Sequence, residues 1–155
     1  MIDASNTVER DDRFNLHRFI SAQESVYNRV LAELNNGSKR SHWMWYIFPQ
    51  LDGLAQSTTS KYYAIKSPSE AIAYLNHPVL GARLLECVNT VLNIEGKSVS
   101  EIFGYPDDLK LKSSMTLFSE VATDSVFVSV LDKYFRGERD SKTLGLLKKL
   151  ENTNE

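Results

Sequence analysis

The chain contains a single cysteine, Cys87, in 155 residues. That excludes an internal disulfide and any metal site built from cysteine alone. Proline and glycine are also scarce, at 4 and 7 residues, which excludes a linker-rich or collagen-like chain. No apolar run approaches the roughly 18 residues a transmembrane helix needs, so no membrane association is expected. Met1 to Asp12 is polar and lacks the apolar run of a secretory signal, so the expected compartment is the cytoplasm. Lys plus Arg total 18 and Asp plus Glu 20, a net charge of −2. With no basic surplus, nucleic acid is not an expected partner. The sequence holds no Gly-rich phosphate loop, no paired Cys-x-x-Cys, no His-Glu-x-x-His and no dinucleotide fingerprint. No metal site and no cofactor are therefore expected.

What is present is an ordinary core-forming composition, 42% hydrophobic and 10% aromatic. A disordered chain would be poorer in aromatics, and a chain of this length can bury about 70% of its unfolded surface. The dominant period is helical. Leu16, Phe19, Ile20, Tyr27, Val30, Leu31 and Leu34 fall on one face of a 3.6-residue repeat, and Asn35-Asn36-Gly37 supplies a stop. Ser67-Pro68-Ser69-Glu70 reads as an N-cap, a proline at the first helical position and the third residue of a capping box. Leu80, Leu84, Cys87, Val88 and Val91 line a further helix. Ser98 or Ser100 opens a short one that Gly104 closes. Pro106-Asp107-Asp108 begins another, with acids where the helix dipole favours them. Asp124 and Ser141 open the last two. Tyr62-Tyr63-Ala64-Ile65 is the one stretch that reads as extended, and it is brief. The expected architecture is all-α: a compact single-domain multihelical bundle around a short aromatic helix, spanning residues 12–150. Polar flexible tails are expected at 1–11 and 151–155.

The short aromatic helix is Ser41-His42-Trp43-Met44-Trp45-Tyr46-Ile47-Phe48-Pro49. Six of the eight residues from His42 to Pro49 are large and apolar or aromatic. As a helix it has no polar face, so it is either buried all round or lines a cavity. Two Trp and one Tyr carry polar N–H and O–H groups and suit stacking on a planar ligand. Residues 34–69 hold Lys39, Arg40, Lys61 and Lys66 against Asp52 alone, an excess of +3 in a chain of net −2. Cations beside stacking rings suit an anionic planar ligand. They equally suit a solvated loop. His42 could serve as acid or base, or as a hydrogen-bonded core residue.

Two further places stand out. Gln23 interrupts the apolar stripe of the first helix, and a buried amide must bond either the core backbone or a ligand. In Asp107-Asp108-Leu109-Lys110-Leu111-Lys112-Ser113-Ser114, the side chains of Lys110, Ser113 and Ser114 share a helix face that can take a phosphate or carboxylate. The bland reading there is capping by Asp107 or Asp108. Cys87 lies on a core face and is expected to be inert.

Lys39-Arg40-Ser41-His42-Trp43-Met44-Trp45-Tyr46-Ile47-Phe48-Pro49-Gln50-Leu51 resembles a stretch of a known family. So do Tyr74-Leu75-Asn76-His77-Pro78-Val79-Leu80-Gly81, Ile102-Phe103-Gly104, and Asp107 to Phe118. Together, over roughly Phe14 to Leu147, they resemble the bacterial domain-of-unknown-function 1810 family. The resemblance implies a compact, mainly α-helical domain and no settled activity. The residues themselves favour binding of a small anionic, nucleotide-like molecule. Ligand contacts are expected from Lys39, Arg40, Trp43, Trp45, Tyr46, Gln23, Lys110 and Ser114. For hydrolysis of a nucleotide or glycosidic bond the catalytic candidates are His42 and Asp108, either of which would orient water or stabilise positive charge at a sugar carbon. The rival reading is a non-catalytic protein-interaction module anchored by exposed aromatics. The oligomeric state is not legible in the sequence.

Overall fold

A computed structural model of the chain describes residues 12–122 and 125–153. Among the described residues there are ten helices and no strand. They are α1 His17–Glu24, α2 Tyr27–Asn35, α3 Met44–Ile47, α4 Thr58–Tyr63, α5 Pro68–Asn76, α6 Leu80–Leu92, α7 Val99–Phe103, α8 Asp107–Val121, α9 Val126–Phe135 and α10 Ser141–Thr153. The expected N-terminal tail and Asp124 lie outside the described residues. Helix α10 continues through Thr153, so the boundary expected at 150 falls within it.

Local signals set most of these boundaries. Ser67 caps α5 by accepting from the Glu70 N–H at 3.1 Å, with Pro68 at the first helical position. The box expected there is only half made. The Glu70 carboxylate accepts instead from the Lys66 N–H at 2.9 Å and pairs with Arg18 at 2.7 Å. A full capping box forms at Ser98 and Glu101. The continuous face expected from Leu16 to Leu34 is interrupted at Ser25 and Val26: α1 is capped at Ser25, the backbone leaves helical geometry at Val26 (φ −121°), and α2 starts after it. Tyr62 and Tyr63, expected to be extended, end α4. Only Ile65 pairs in β fashion, with Leu51.

Helix α8 runs through the core, with every residue from Ser113 to Phe118 buried. It packs on α5, α7, α9 and α10, while α6 packs on α2, α5 and α9. Gly81 allows the approach of α5 to α6: a Cβ there would lie 2.1 Å from the Leu75 carbonyl oxygen. The aromatic turn α3 packs on α1 and α4. Trp43, Phe48 and Phe103 form one ring cluster, with centroids 6.0–6.5 Å apart. The start of α8 is thereby brought beside the basic, aromatic segment.

Candidate functional site

The geometry begins at the end of α2. Gly37, at φ +69°, takes the left-handed conformation that glycine tolerates. The Gly37 N–H donates to Leu34 O at 2.9 Å and the Ser38 N–H to Glu33 O at 3.0 Å, which is the Schellman pattern. The chain folds back over Glu33. Its Oε1 accepts from the Arg40 N–H at 2.7 Å, the Ser41 N–H at 3.0 Å and the Trp43 indole N–H at 2.9 Å. The Ser41 hydroxyl donates to Oε2. Burial opposes the charge on Glu33, but these donors outweigh it and hold the carboxyl at about 2.

Lys39 lies inside this fold-back with its side chain 6% exposed. Its ammonium donates to Ser41 O at 2.6 Å, pairs with Asp107 Oδ2 at 2.8 Å and lies 4.9 Å from the Trp43 ring centroid. Asp107 Oδ1 also accepts from Lys110 at 3.1 Å. Burial works against the Asp107 charge, and the two lysines prevail, lowering its pKa. Lys110 in turn sits 4.0 Å from the centroid of Trp45, within cation–π range. A relay Lys39–Asp107–Lys110–Trp45 thus ties the basic segment to the first turn of α8.

Trp45, half-buried, forms one wall of an open cleft of about 280 Å³. Leu54, Ala55, Pro106 and Leu109 supply its apolar lining, and Lys110, Lys142, Asp140, Ser113 and Gln50 its polar groups. Asp140 is fixed as the cap of α10. Its Oδ2 accepts from Ser113 Oγ at 3.1 Å and the Thr143 N–H at 3.1 Å, and also from the Thr143 hydroxyl. The Asp140 N–H donates to Thr116 Oγ1 at 2.9 Å. Asp140 Oδ1, the Lys142 ammonium and the Gln50 amide have no hydrogen-bond partner among the described residues.

The residues expected to form the site are therefore dispersed. Trp45 and Lys110 line the cleft. Lys39 reaches it only through Asp107. Trp43 is 1% exposed and spends its indole N–H on Glu33, so it cannot stack on a ligand. Tyr46 packs on Tyr63 at 5.2 Å and donates to His42 O at 3.3 Å. Gln23 is a core amide: its Nε2 donates to Tyr46 O at 2.8 Å and Tyr74 Oη at 3.1 Å, and its Oε1 accepts from Arg83 at 3.2 Å. Ser114 is fully buried with no partner for its hydroxyl, so the face shared with Ser113 divides between core and cleft. Among the described residues the Asp108 carboxylate accepts only from its neighbour's N–H, Leu109, at 2.9 Å. The side chains of His42 and Arg40 are exposed and line no part of the cleft. Asp140, Lys142 and Gln50 escaped the sequence reading. Only the Asp140-Ser141-Lys142-Thr143 helix start hinted at the first of them. Among the described residues no group of three His, Cys, Asp or Glu side chains could hold a metal ion, and no helix is long and apolar enough to cross a membrane.

Comparison with curated proteins gives no match. Among solved structures, the crystal structure of the conserved hypothetical protein Rv1873 from Mycobacterium tuberculosis is 51% identical, with a TM-score of 0.87. The match covers 88% of this chain and 99% of that one. The model of the family described as "Protein of unknown function (DUF1810)" matches residues 13–147. By fold and by sequence, the chain belongs to the DUF1810 family.

Proposed function

We propose that this protein binds a small anionic molecule of nucleotide type in the Trp45 cleft. One observation carries the reading: an indole face, an apolar floor and two lysines, Lys110 and Lys142, meet in a concavity of about 280 Å³. That volume is near the lower end for small-molecule sites. Trp45, Leu54 and Leu109 offer flat apolar surface to a base, and the lysines offer charge to a phosphate. Binding is favoured over hydrolysis because neither His42 nor Asp108 lines the cleft. The interaction-module reading draws support from Leu109, 50% exposed in the cleft lining, and from Tyr105, 81% exposed and next in the chain to the lining residue Pro106.

Titration of the protein with adenosine and cytidine monophosphates tests the proposal, followed by calorimetry and by Trp emission. Saturable binding in the micromolar to millimolar range is expected, with Trp45→Leu and Lys142→Ala each weakening it about tenfold. The absence of binding at millimolar ligand would leave the interaction module as the better reading.

A further inference from the structure

The cleft contains a group that a simple anion site should not have. Asp140 lies in the lining with Lys110 and Lys142, yet it carries a carboxylate. A carboxylate beside a bound phosphate or carboxylate is a like-charge contact and opposes binding. The opposition disappears if the ligand places a hydrogen-bond donor against that carboxylate. Asp140 is built to accept one. The Thr143 N–H and the Thr143 hydroxyl donate to Oδ2, and the Ser113 hydroxyl, whose one proton is shared with Leu109 O at 3.2 Å, lies 3.1 Å from it. The backbone of Asp140 is anchored on Thr116 at 2.9 Å. The side chain is therefore held in place, and Oδ1 is left without a partner among the described residues. Gln50, also in the lining, adds an amide that can both donate and accept. An acceptor oxygen and an amide beside a cation and an indole match a hydroxylated ring that bears a phosphate.

We infer that Asp140 is a specificity-determining residue: its Oδ1 accepts a sugar hydroxyl of a ligand whose phosphate is held by Lys142. This rests on the cleft being the binding site. The cleft then takes ribonucleotides in preference to their dideoxy counterparts and to bare phosphate. A ligand that leaves a fixed, partly buried acceptor without a donor binds less tightly than one that pairs it.

The test compares adenosine monophosphate, its dideoxyribonucleotide counterpart, ribose phosphate and inorganic phosphate by calorimetry on the full chain. Each is measured against the unsubstituted protein and Asp140→Asn. Asparagine caps helices about as well as aspartate, so α10 should persist, and circular dichroism checks that it does. The expected result is at least tenfold tighter binding of the ribonucleotide than of the dideoxy compound, with the difference collapsing in Asp140→Asn. Ribose phosphate binding as tightly as the nucleotide would keep the role of Asp140 while removing the base from the reading. Equal binding of the ribo and dideoxy forms overturns the inference and leaves the nucleotide site standing. Inorganic phosphate binding as tightly as the ribonucleotide overturns it too. If none of the four binds, both the inference and the site fail.

Discussion

Trp43 and Trp45 are separated by one residue in the same aromatic run, yet the fold uses them in opposite ways. Trp43 is 1% exposed, its N–H taken by Glu33 and its ring packed on Phe48 and Phe103. Trp45 is half-buried, carries Lys110 on its ring and walls an open cleft. The same contrast separates their cations. Lys39, beside Trp43, is enclosed and paired with Asp107, whereas Lys110, on the Trp45 ring, shares that carboxylate but is 22% exposed at the cleft, where Lys142 has no partner among the described residues. The region around Glu33 fixes the shape of the loop, and the region around Trp45 leaves a surface unused. In a run of similar side chains, the pairing of polar groups marks which ones are committed to the fold.

Truncating the first ring should break the comparison most severely. Trp43→Ala removes a fully buried indole and one of the three donors to Glu33 Oε1. A loss of about 3–5 kcal/mol is expected from chemical unfolding. Trp45→Ala, measured alongside, should cost less than half as much. Equal losses would mean that Trp45 is as much a core residue as Trp43.

Removing the charge that organises the enclosed region comes next. Glu33→Gln keeps the shape but removes the charge that strengthens the bonds from Arg40, Ser41 and Trp43. A loss of about 2 kcal/mol is expected. The pH dependence gives a second readout. The folded carboxyl sits at about 2 against an ordinary value of 4.5, so the folded state binds fewer protons than the unfolded state between these values. The stabilisation is present above pH 4.5 and is lost as pH falls towards 2. Denaturation midpoints of the unsubstituted protein should therefore drop more steeply over that interval than those of Glu33→Gln. Parallel curves would remove Glu33 from its organising role.

The relay between the two regions should give a smaller effect. Asp107→Asn leaves Lys39 enclosed without its counter-charge, and a loss of about 1–2 kcal/mol is expected, lessened because Asp107 itself is only partly buried. The Trp45 cleft should loosen with it, which hydrogen exchange in the first turns of α8 would register. Unchanged exchange would show that the two regions are mechanically separate.

The sequence made the fold legible where the determinants were local. Ser67, Ser98 and Asn35-Asn36-Gly37 fix helix ends through bonds spanning three to five residues, and such bonds can be read along the chain. The different fates of Trp43 and Trp45 could not be read in this way. A helical wheel through His42–Pro49 assumes a continuous helix, but α3 is a single turn, and Trp43 caps it at φ −140°. With no polar face and no continuous helix, periodicity alone does not separate the two rings. The partner that commits Trp43 lies ten residues upstream, on another helix. Ser113 and Ser114 were inseparable because α8 is buried nearly all round, leaving no polar face to set a phase. Asp140 comes to Ser113 from 27 residues away, through a helix-to-helix contact that no local pattern announces.

The smallest expected effect sharpens the comparison most directly. Lys110 contacts both sides, through Asp107 at 3.1 Å and through the face of Trp45 at 4.0 Å. Its side chain is 22% exposed, so the cation–π contact and the ion pair are each worth about 0.5–1 kcal/mol. Lys110→Met keeps the apolar stem over the indole and removes the charge. Stability should fall by no more than about 1 kcal/mol. Asp107 keeps Lys39, so the enclosed region should not open. Trp43 is shielded by its packing, so any change in emission on this substitution reports on Trp45. Adding salt should reproduce part of that change in the unsubstituted protein, because a partly exposed charge is screened. If Lys110→Met destabilises as much as Trp43→Ala, then Lys110 belongs to the core of the fold. The contrast between a committed and an open tryptophan would then lose its basis, and with it the assignment of this cleft as the place where a ligand meets charge.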